Sequence, residues 1–200
     1  MKEFQDDQQE YCGKRFGGID VSKETIASKR FEDCEFTACN FASAQLQRCK
    51  LVDVTFRDCN FSLLRLDGTR VSNAHFASCK LRGVDWTKAA WPQISLPPEI
   101  QFEECILDDS SFFGISLEEI VIERCTARDV DFRDCNLSRS VLKGTDFSRS
   151  LFGKTNLVGA DFTDATEYNI DVFDNEIRGA RFSRQKAVRL LAALAIELVD

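Results

Sequence analysis

From Phe16 onward, every fifth residue of this chain is apolar. The series runs Phe16, Val21, Ile26, Phe31, Phe36, Phe41, Leu46, Leu51, Phe56, Phe61, Leu66, Val71, Phe76, Leu81, Trp86 and Trp91. After a slip of one residue it resumes at Phe102, Leu107, Phe112, Leu117, Ile122, Ala127, Phe132, Leu137, Leu142, Phe147, Phe152, Leu157 and Phe162. Only 44% of the residues are apolar, so so long an unbroken comb is a repeat.

A period of five suits neither regular element. On a helix, steps of five residues at about 100° each spread the large side chains over the whole surface. On a flat strand they fall on alternate faces. The period fits a chain that turns a corner every five residues and points one large side chain inward each time. Two residues before each large position the chain is usually small, as at Cys34, Cys39, Ala44, Cys49, Val84, Cys105, Ser110, Cys125, Cys135, Thr145 and Ala160. Between small and large, Asp or Asn recurs at Asn40, Asn60, Asp85, Asp131, Asn136, Asp146, Asn156 and Asp161. Such side chains cap nearby backbone amides and suit tight turns.

A longer period of twenty places like residues in columns: Phe36, Phe56 and Phe76; Phe112, Phe132 and Phe152; Cys39, Cys59 and Cys79; Cys105 and Cys125. Four pentapeptides per coil stack these columns at the ~4.8 Å spacing of neighbouring strands. About seven coils then make a rod of roughly 34 Å.

The comb divides the chain. Residues 1–15 form an N-terminal extension or cap, 16–165 the solenoid with a register break at 92–101, and 166–200 a C-terminal cap and dimerisation segment. All three prolines, Pro92, Pro97 and Pro98, fall in the break. Proline removes a ladder donor, so an irregular joint inside one continuous solenoid is expected there, with Trp86 and Trp91 beside it. After Phe162 the comb fades. Ser183 is placed to cap an α-helix whose apolar stripe contains Ala187, Leu190, Leu191 and Leu194. Ile196 to Asp200 then alternates like a short strand. A lone cap does not need this much apolar surface. Ala187, Leu190, Leu191, Leu194, Ile196 and Leu198 are therefore assigned to a homodimer interface.

Chemistry is poorly represented. Eight of nine cysteines, all but Cys12, sit at the small inward position, where a thiol packs as a compact hydrophobe. No CxxC pair exists and His75 is the only histidine, so neither zinc spacing nor a catalytic constellation is present. The expectation is reduced, buried thiols, a solvated His75, no metal, no cofactor and no enzymatic activity. No run of residues is apolar enough to span a membrane, and the polar first ten residues are no secretory signal, so the cytoplasm is the expected location.

The net charge of −7 is localised. Residues 1–100 hold 14 acids and 14 bases, residues 101–134 hold 10 acids and 3 bases, and residues 135–200 hold nine of each. An acidic face is assigned to Asp108, Asp109, Glu118, Glu119, Glu123, Asp129 and Asp134. At a spacing of twenty, Glu104, Asp108, Glu119 and Asp129 meet Arg124, Arg128, Arg139 and Arg149, which leaves Asp109, Glu118 and Glu123 least compensated. Such a surface repels nucleic acid and attracts basic grooves, so direct nucleic-acid binding is not expected.

Thr145-Asp146-Phe147 and Ala160-Asp161-Phe162 follow the A-(D/N)-L-x-x pattern, and residues 16 to 165 resemble the pentapeptide-repeat family. The resemblance implies an all-β fold, a right-handed quadrilateral β-helix, here with a short C-terminal α-helix and strand. The order Tyr168-Asn169-Ile170-Asp171, Ala180-Arg181-Phe182-Ser183 and Leu190-Leu191 is similar to the topoisomerase-protecting (Qnr-like) branch, most of all to its albicidin-resistance type. That similarity implies a head-to-head dimer that mimics DNA. It would bind DNA gyrase or its relative topoisomerase IV and protect it from a poisoning antibiotic or toxin. The inserted gyrase-contacting loops of quinolone-resistance relatives are not expected here. The alternative is a protein–protein interaction scaffold with no topoisomerase role.

Overall fold

The computed structural model describes residues 3–4, 7–91, 99–194 and 196. Parallel strands wind about one axis. Strands β1 (Glu10–Cys12) and β2 (Arg15–Gly17) both pair with β4 (Arg30–Thr37), and the ladder continues through β6 (Lys50–Arg57), β7 (Arg70–Ala77), β8 (Ile100–Glu103) and β9 (Val121–Glu123). On another side β3 (Thr25–Ala27) pairs with β5 (Gln45–Gln47), and near the C-terminal end β10 (Asp161–Phe162) pairs with β11 (Arg181–Phe182). Single parallel bridges such as Asn40↔Asn60, Val121↔Val141 and Asn136↔Asn156 carry the same register between them. The result is the expected right-handed four-sided β-helix.

One column measures its length. Phe16, Phe36, Phe56, Phe76, Phe102 and Ile122 lie one above another, and the bridges at Val121, Val141 and Asp161 carry the column on to Leu142, Phe162 and Phe182. Eight spacings of ~4.8 Å give roughly 38 Å, one coil more than the sequence count. The difference lies at both ends. Tyr11 continues the comb one step before Phe16 and stacks on Phe31 at 5.1 Å. Phe4 is buried across the rings of Tyr11, Phe16 and Phe31, closing the N-terminal end of the core. At the other end Phe182 still stacks on Phe162 at 5.1 Å, beyond the expected limit at 165.

Each side is built from the same local rules. The residue two after each large position adopts positive φ at most corners, from Ser28, Asp33 and Arg48 to Arg139 and Lys154. Its strain is offset because its amide donates to the coil above, as from Arg48 to Asp67 O at 2.9 Å. The Asp or Asn before the large position accepts from the amide two residues on, as Asp20 does from Ser22 and Asn136 from Ser138.

The small inward position has a polar task. Where no turn hydrogen bond uses its amide, the side chain one coil above accepts it: Cys105 Sγ from Cys79 N at 3.4 Å, Cys125 Sγ from Cys105 N at 3.3 Å, Thr69 Oγ1 from Cys49 N at 3.1 Å. The same group donates back to a carbonyl, Cys105 to Phe76 O at 3.3 Å and Thr69 to Leu46 O at 2.7 Å. Thiols and hydroxyls are therefore hydrogen-bonding spacers and not merely compact hydrophobes. All eight inward cysteines are buried and free, and Cys12 is exposed.

The break is larger than a one-residue slip. Ala90 N donates to Thr69 O in the ordinary register, yet Ile100 pairs with Ala74 and Phe102 with Phe76. Twenty-six residues, rather than twenty, separate those partners, so six additional residues are inserted between consecutive coils. A slip counted in fives hides them, because six is one pentapeptide plus one residue. The expected irregular joint is thus six residues longer than the ordinary coil, although 92–98 themselves lie outside the described residues. The shift also joins Cys39, Cys59, Cys79, Cys105 and Cys125 into one column. Trp86 is not a surface group: it is buried, stacks on Phe112 at 5.6 Å, and its carbonyl accepts from Trp91 Nε1 at 2.7 Å.

Past Phe162 the α-helix expected after Ser183 is instead a 3-10 segment, Ala187–Leu194. Ser183 is diverted from capping it: its hydroxyl accepts from Asp164 N at 2.9 Å and donates to the Asp164 carboxylate at 3.0 Å. The segment is tied to the last coil by Lys186 Nζ on Asp164 O at 2.7 Å and by an Arg189–Glu167 ion pair. The predicted strand from Ile196 to Asp200 falls outside the described residues except Ile196, which is not in a strand.

Candidate functional site

The acid-rich block cannot lie on one face, because 34 residues are more than one and a half coils. Asp108, Asp109 and Asp129 follow the Leu107 and Ala127 column, Glu118 and Glu119 follow Leu117 on the opposite side, Glu123 follows Ile122, and Asp134 follows Phe132. The expected acidic face is therefore a belt around the rod.

The belt is also laced with arginine. Arg124 bonds Glu104 at 3.3 Å and Glu123 at 2.7 Å. Arg139 bonds Glu118 at 2.5 Å and Glu119 at 2.8 Å. Arg82 reaches Asp109 at 2.7 Å, and Arg149 grips Asp129 through two nitrogens at 2.7 and 2.5 Å. Asp108 accepts the amide of Arg128 at 3.0 Å, while that guanidinium turns to Asp146 at 2.7 Å. Of the seven predicted acids, Asp134 alone has no ion pair or side-chain hydrogen bond among the described residues.

This reverses one expectation. Asp109, Glu118 and Glu123 were the least compensated by the spacing of twenty, and all three are paired. Arginine is long enough to reach a diagonal neighbour, and the six inserted residues bring Arg82 beneath Asp109. Arg149 holds the Asp129 carboxyl below its usual range, and Arg133 does the same to Asp131. Arg82, Arg139 and Arg149 all come from outside the block, so the surplus is smaller in space than in sequence.

The C-terminal end is apolar. Phe173 is 75% exposed, Val188 49%, Leu194 42% and Ile196 53%. Leu190 packs on the core, Ala187 and Leu191 are half-buried, and Leu198 lies outside the described residues. Beneath them Tyr168 is buried between Phe162 and Phe182, and burial pushes its phenol up.

Among the described residues a shallow groove of about 230 Å³ is lined by Leu63, Arg65, Asp67 and Lys88. His75 is half-buried and its Nε2 lies 3.4 Å from Glu103 Oε2, not free in solvent. Among the described residues no three His, Cys, Asp or Glu side chains gather as metal ligands, and no helix is long and apolar enough to cross a membrane.

The fold has solved counterparts. A trypsin-treated form of QnrB1, a plasmid-mediated fluoroquinolone resistance protein, superposes with a TM-score of 0.70 at 18% identity, over 95% of this chain and 100% of that one. Full-length QnrB1 superposes with a TM-score of 0.66 at 18% identity, over 94% and 100%. No curated protein sequence matches the chain. The profile for the pentapeptide repeat region matches residues 29–97 and again 98–187, the two stretches meeting at the inserted residues. The chain belongs to the pentapeptide repeat family.

Proposed function

We propose that this protein is a non-enzymatic, dimeric β-helix that occupies the DNA-binding surface of a type II topoisomerase and protects that enzyme from a poison. One observation carries the reading: the rod matches QnrB1 over that protein's whole length, from the first coil to the C-terminal segment. The apolar C-terminal end supports a head-to-head dimer, with Phe173, Val188, Leu194 and Ile196 exposed. Two rods of roughly 38 Å joined there approach the length of about 20 base pairs of DNA. The belt contributes negative potential at Asp134 and along the carboxylate edges left outside their ion pairs.

DNA gyrase is the first partner to test, with topoisomerase IV second. Purified gyrase would be assayed for drug-induced cleavage complexes with a fluoroquinolone and, separately, with albicidin, with and without the protein. The expected outcome is fewer complexes and recovered supercoiling with at least one poison. Unchanged complexes with both poisons, and no association of the two proteins, would leave the alternative of a scaffold for other partners.

A further inference from the structure

The zero balance of residues 1–100 conceals a segregation of charge. Arg30, Lys50 and Arg70 occupy one position on three successive rungs, paired Arg30↔Lys50 and Lys50↔Arg70. Arg48 and Lys88 lie on the same corner, two residues earlier in their rungs, and both are exposed. Buried Lys29 completes the corner, its Nζ donating to Gln8 O at 2.5 Å. Six cations thus line one corner over three spacings, about 14 Å.

Their partners distinguish this corner from the rest of the rod. Arg124, Arg139 and Arg149 each lie one coil above a carboxylate, Glu104, Glu119 and Asp129, and each is bonded to it. Arg48 has the same backbone setting, with positive φ, and like Arg124 and Arg139 its side chain runs beneath a glycine one coil on. The residue one coil below Arg48 is Ser28, where those arginines have an acid. A recess of about 120 Å³ opens there between Ser28, Lys29, Arg30, Arg48 and Lys50, with Glu10 at its N-terminal edge. Arg30 is neutralised by Glu32 at 2.7 Å, and Lys88 lies 3.8 Å from Asp85. Arg48, Lys50 and Arg70 have no ion pair among the described residues. Asp33 and Asp53 stand at the other corner of the same side.

We infer that this corner is an anion-binding edge that takes the phosphodiester backbone of duplex DNA, a phosphate replacing the carboxylate that the other arginines have. An acidic peptide is less well suited. Among the described residues none of the exposed large apolar side chains lies on this corner to anchor one. The corner amides are already committed, Ser28 to Gln47 O and Arg48 to Asp67 O, so no strand can add. A phosphate backbone needs only charge, which Arg48, Lys50 and Arg70 supply along this edge. This corner differs in that respect from the acidic surface, which was expected to repel nucleic acid.

The test uses the protein alone, so it is independent of any topoisomerase. A fluorescein-labelled duplex of about 20 base pairs is titrated by anisotropy between about 25 and 200 mM salt. Binding should fall with salt with a log–log slope of about −3. Combining Arg48→Glu, Lys50→Glu and Arg70→Glu should weaken it by about tenfold or more, with an unchanged circular-dichroism melt. Arg48→Gln alone should flatten the slope by about one. Arg57→Glu, an exposed residue on another side, should reduce affinity far less. The inference is overturned if the wild type does not bind at the lowest salt, if the charge-reversed protein binds equally, or if poly-glutamate binds as tightly as DNA.

Discussion

Phe76 and Phe102 stack ring on ring at 5.1 Å, as Phe56 and Phe76 do at 5.0 Å, although six more residues separate the first pair. The core therefore does not register the insertion. The amide and carbonyl ladder resumes on the far side, with Ser78 N on Glu103 O at 2.9 Å and Leu81 N on Ile106 O at 2.7 Å. What does change is the surface, because Arg82 comes to lie below Asp109, and the cysteine column becomes continuous.

Removing six residues from within 92–99 should accordingly leave a folded rod in the ordinary period of twenty. Far-UV circular dichroism and the melting temperature should stay close to those of the parent. Removing three should also leave the core register intact, because the far side is set by pairing such as Phe102 with Phe76 and already tolerates an excess that is no multiple of five. Unfolding of either deletion variant would show that these residues are needed for the coils to stack.

The cysteine column makes a second prediction. Cys105 accepts the amide of Cys79 and donates to Phe76 O, so a hydroxyl can replace its thiol but an isopropyl group cannot. Cys105→Ser should cost less than about 1.5 kcal/mol in urea unfolding. Cys105→Val should cost about 1–3 kcal/mol, because a buried amide loses its acceptor. A valine variant as stable as the serine one would reduce the thiol to a space-filler after all.

The same thiols fix how stability depends on pH. The hydrogen bond to Cys105 pushes Cys79 up to about 12, that to Cys125 pushes Cys105 to about 12, and burial does the same to Cys135. In the unfolded chain these thiols ionise near 9. The native state then holds more protons between those values, so stability is complete below about pH 9 and falls as pH rises towards 12. Each thiol contributes a slope of up to about 1.4 kcal/mol per pH unit in that window. Urea midpoints measured from pH 7 to 11 should be flat and then drop. At pH 8 a thiol reagent should modify exposed Cys12 quickly and the others only on unfolding.

How much of this was legible in the chain follows from which forces are periodic. The coil, the inward ladders and the Asp and Asn turns repeat every five residues, and Phe36, Phe56 and Phe76 lie where the comb puts them. Tyr11 and Phe182 were legible too, since both extend the ladder, but the fading of apolar residues around them obscured it. The surface was not legible by spacing alone. Glu118 pairs with Arg139 one residue off its column, and Asp109 finds Arg82 across the insertion. Nor could propensity reveal that Ser183 would bind Asp164 in preference to capping, because that contact depends on a coil one turn away.

The apolar side chains of the C-terminal end fall into two groups. Leu190 packs against the chain's own core, whereas Val188 and Leu194 are 49% and 42% exposed. Val188→Asp combined with Leu194→Asp should thus shift the protein from dimer to monomer in size-exclusion chromatography with light scattering. The isolated subunit should remain folded, since neither side chain supports its core. Leu190→Asp should lower stability by about 2 kcal/mol or more, because it sets a charge against the apolar core on which Leu190 packs. The same Val188 and Leu194 double variant should lose protection of gyrase if both rods must bind together. A wild-type protein that is monomeric at micromolar concentration would assign this apolar end to capping alone.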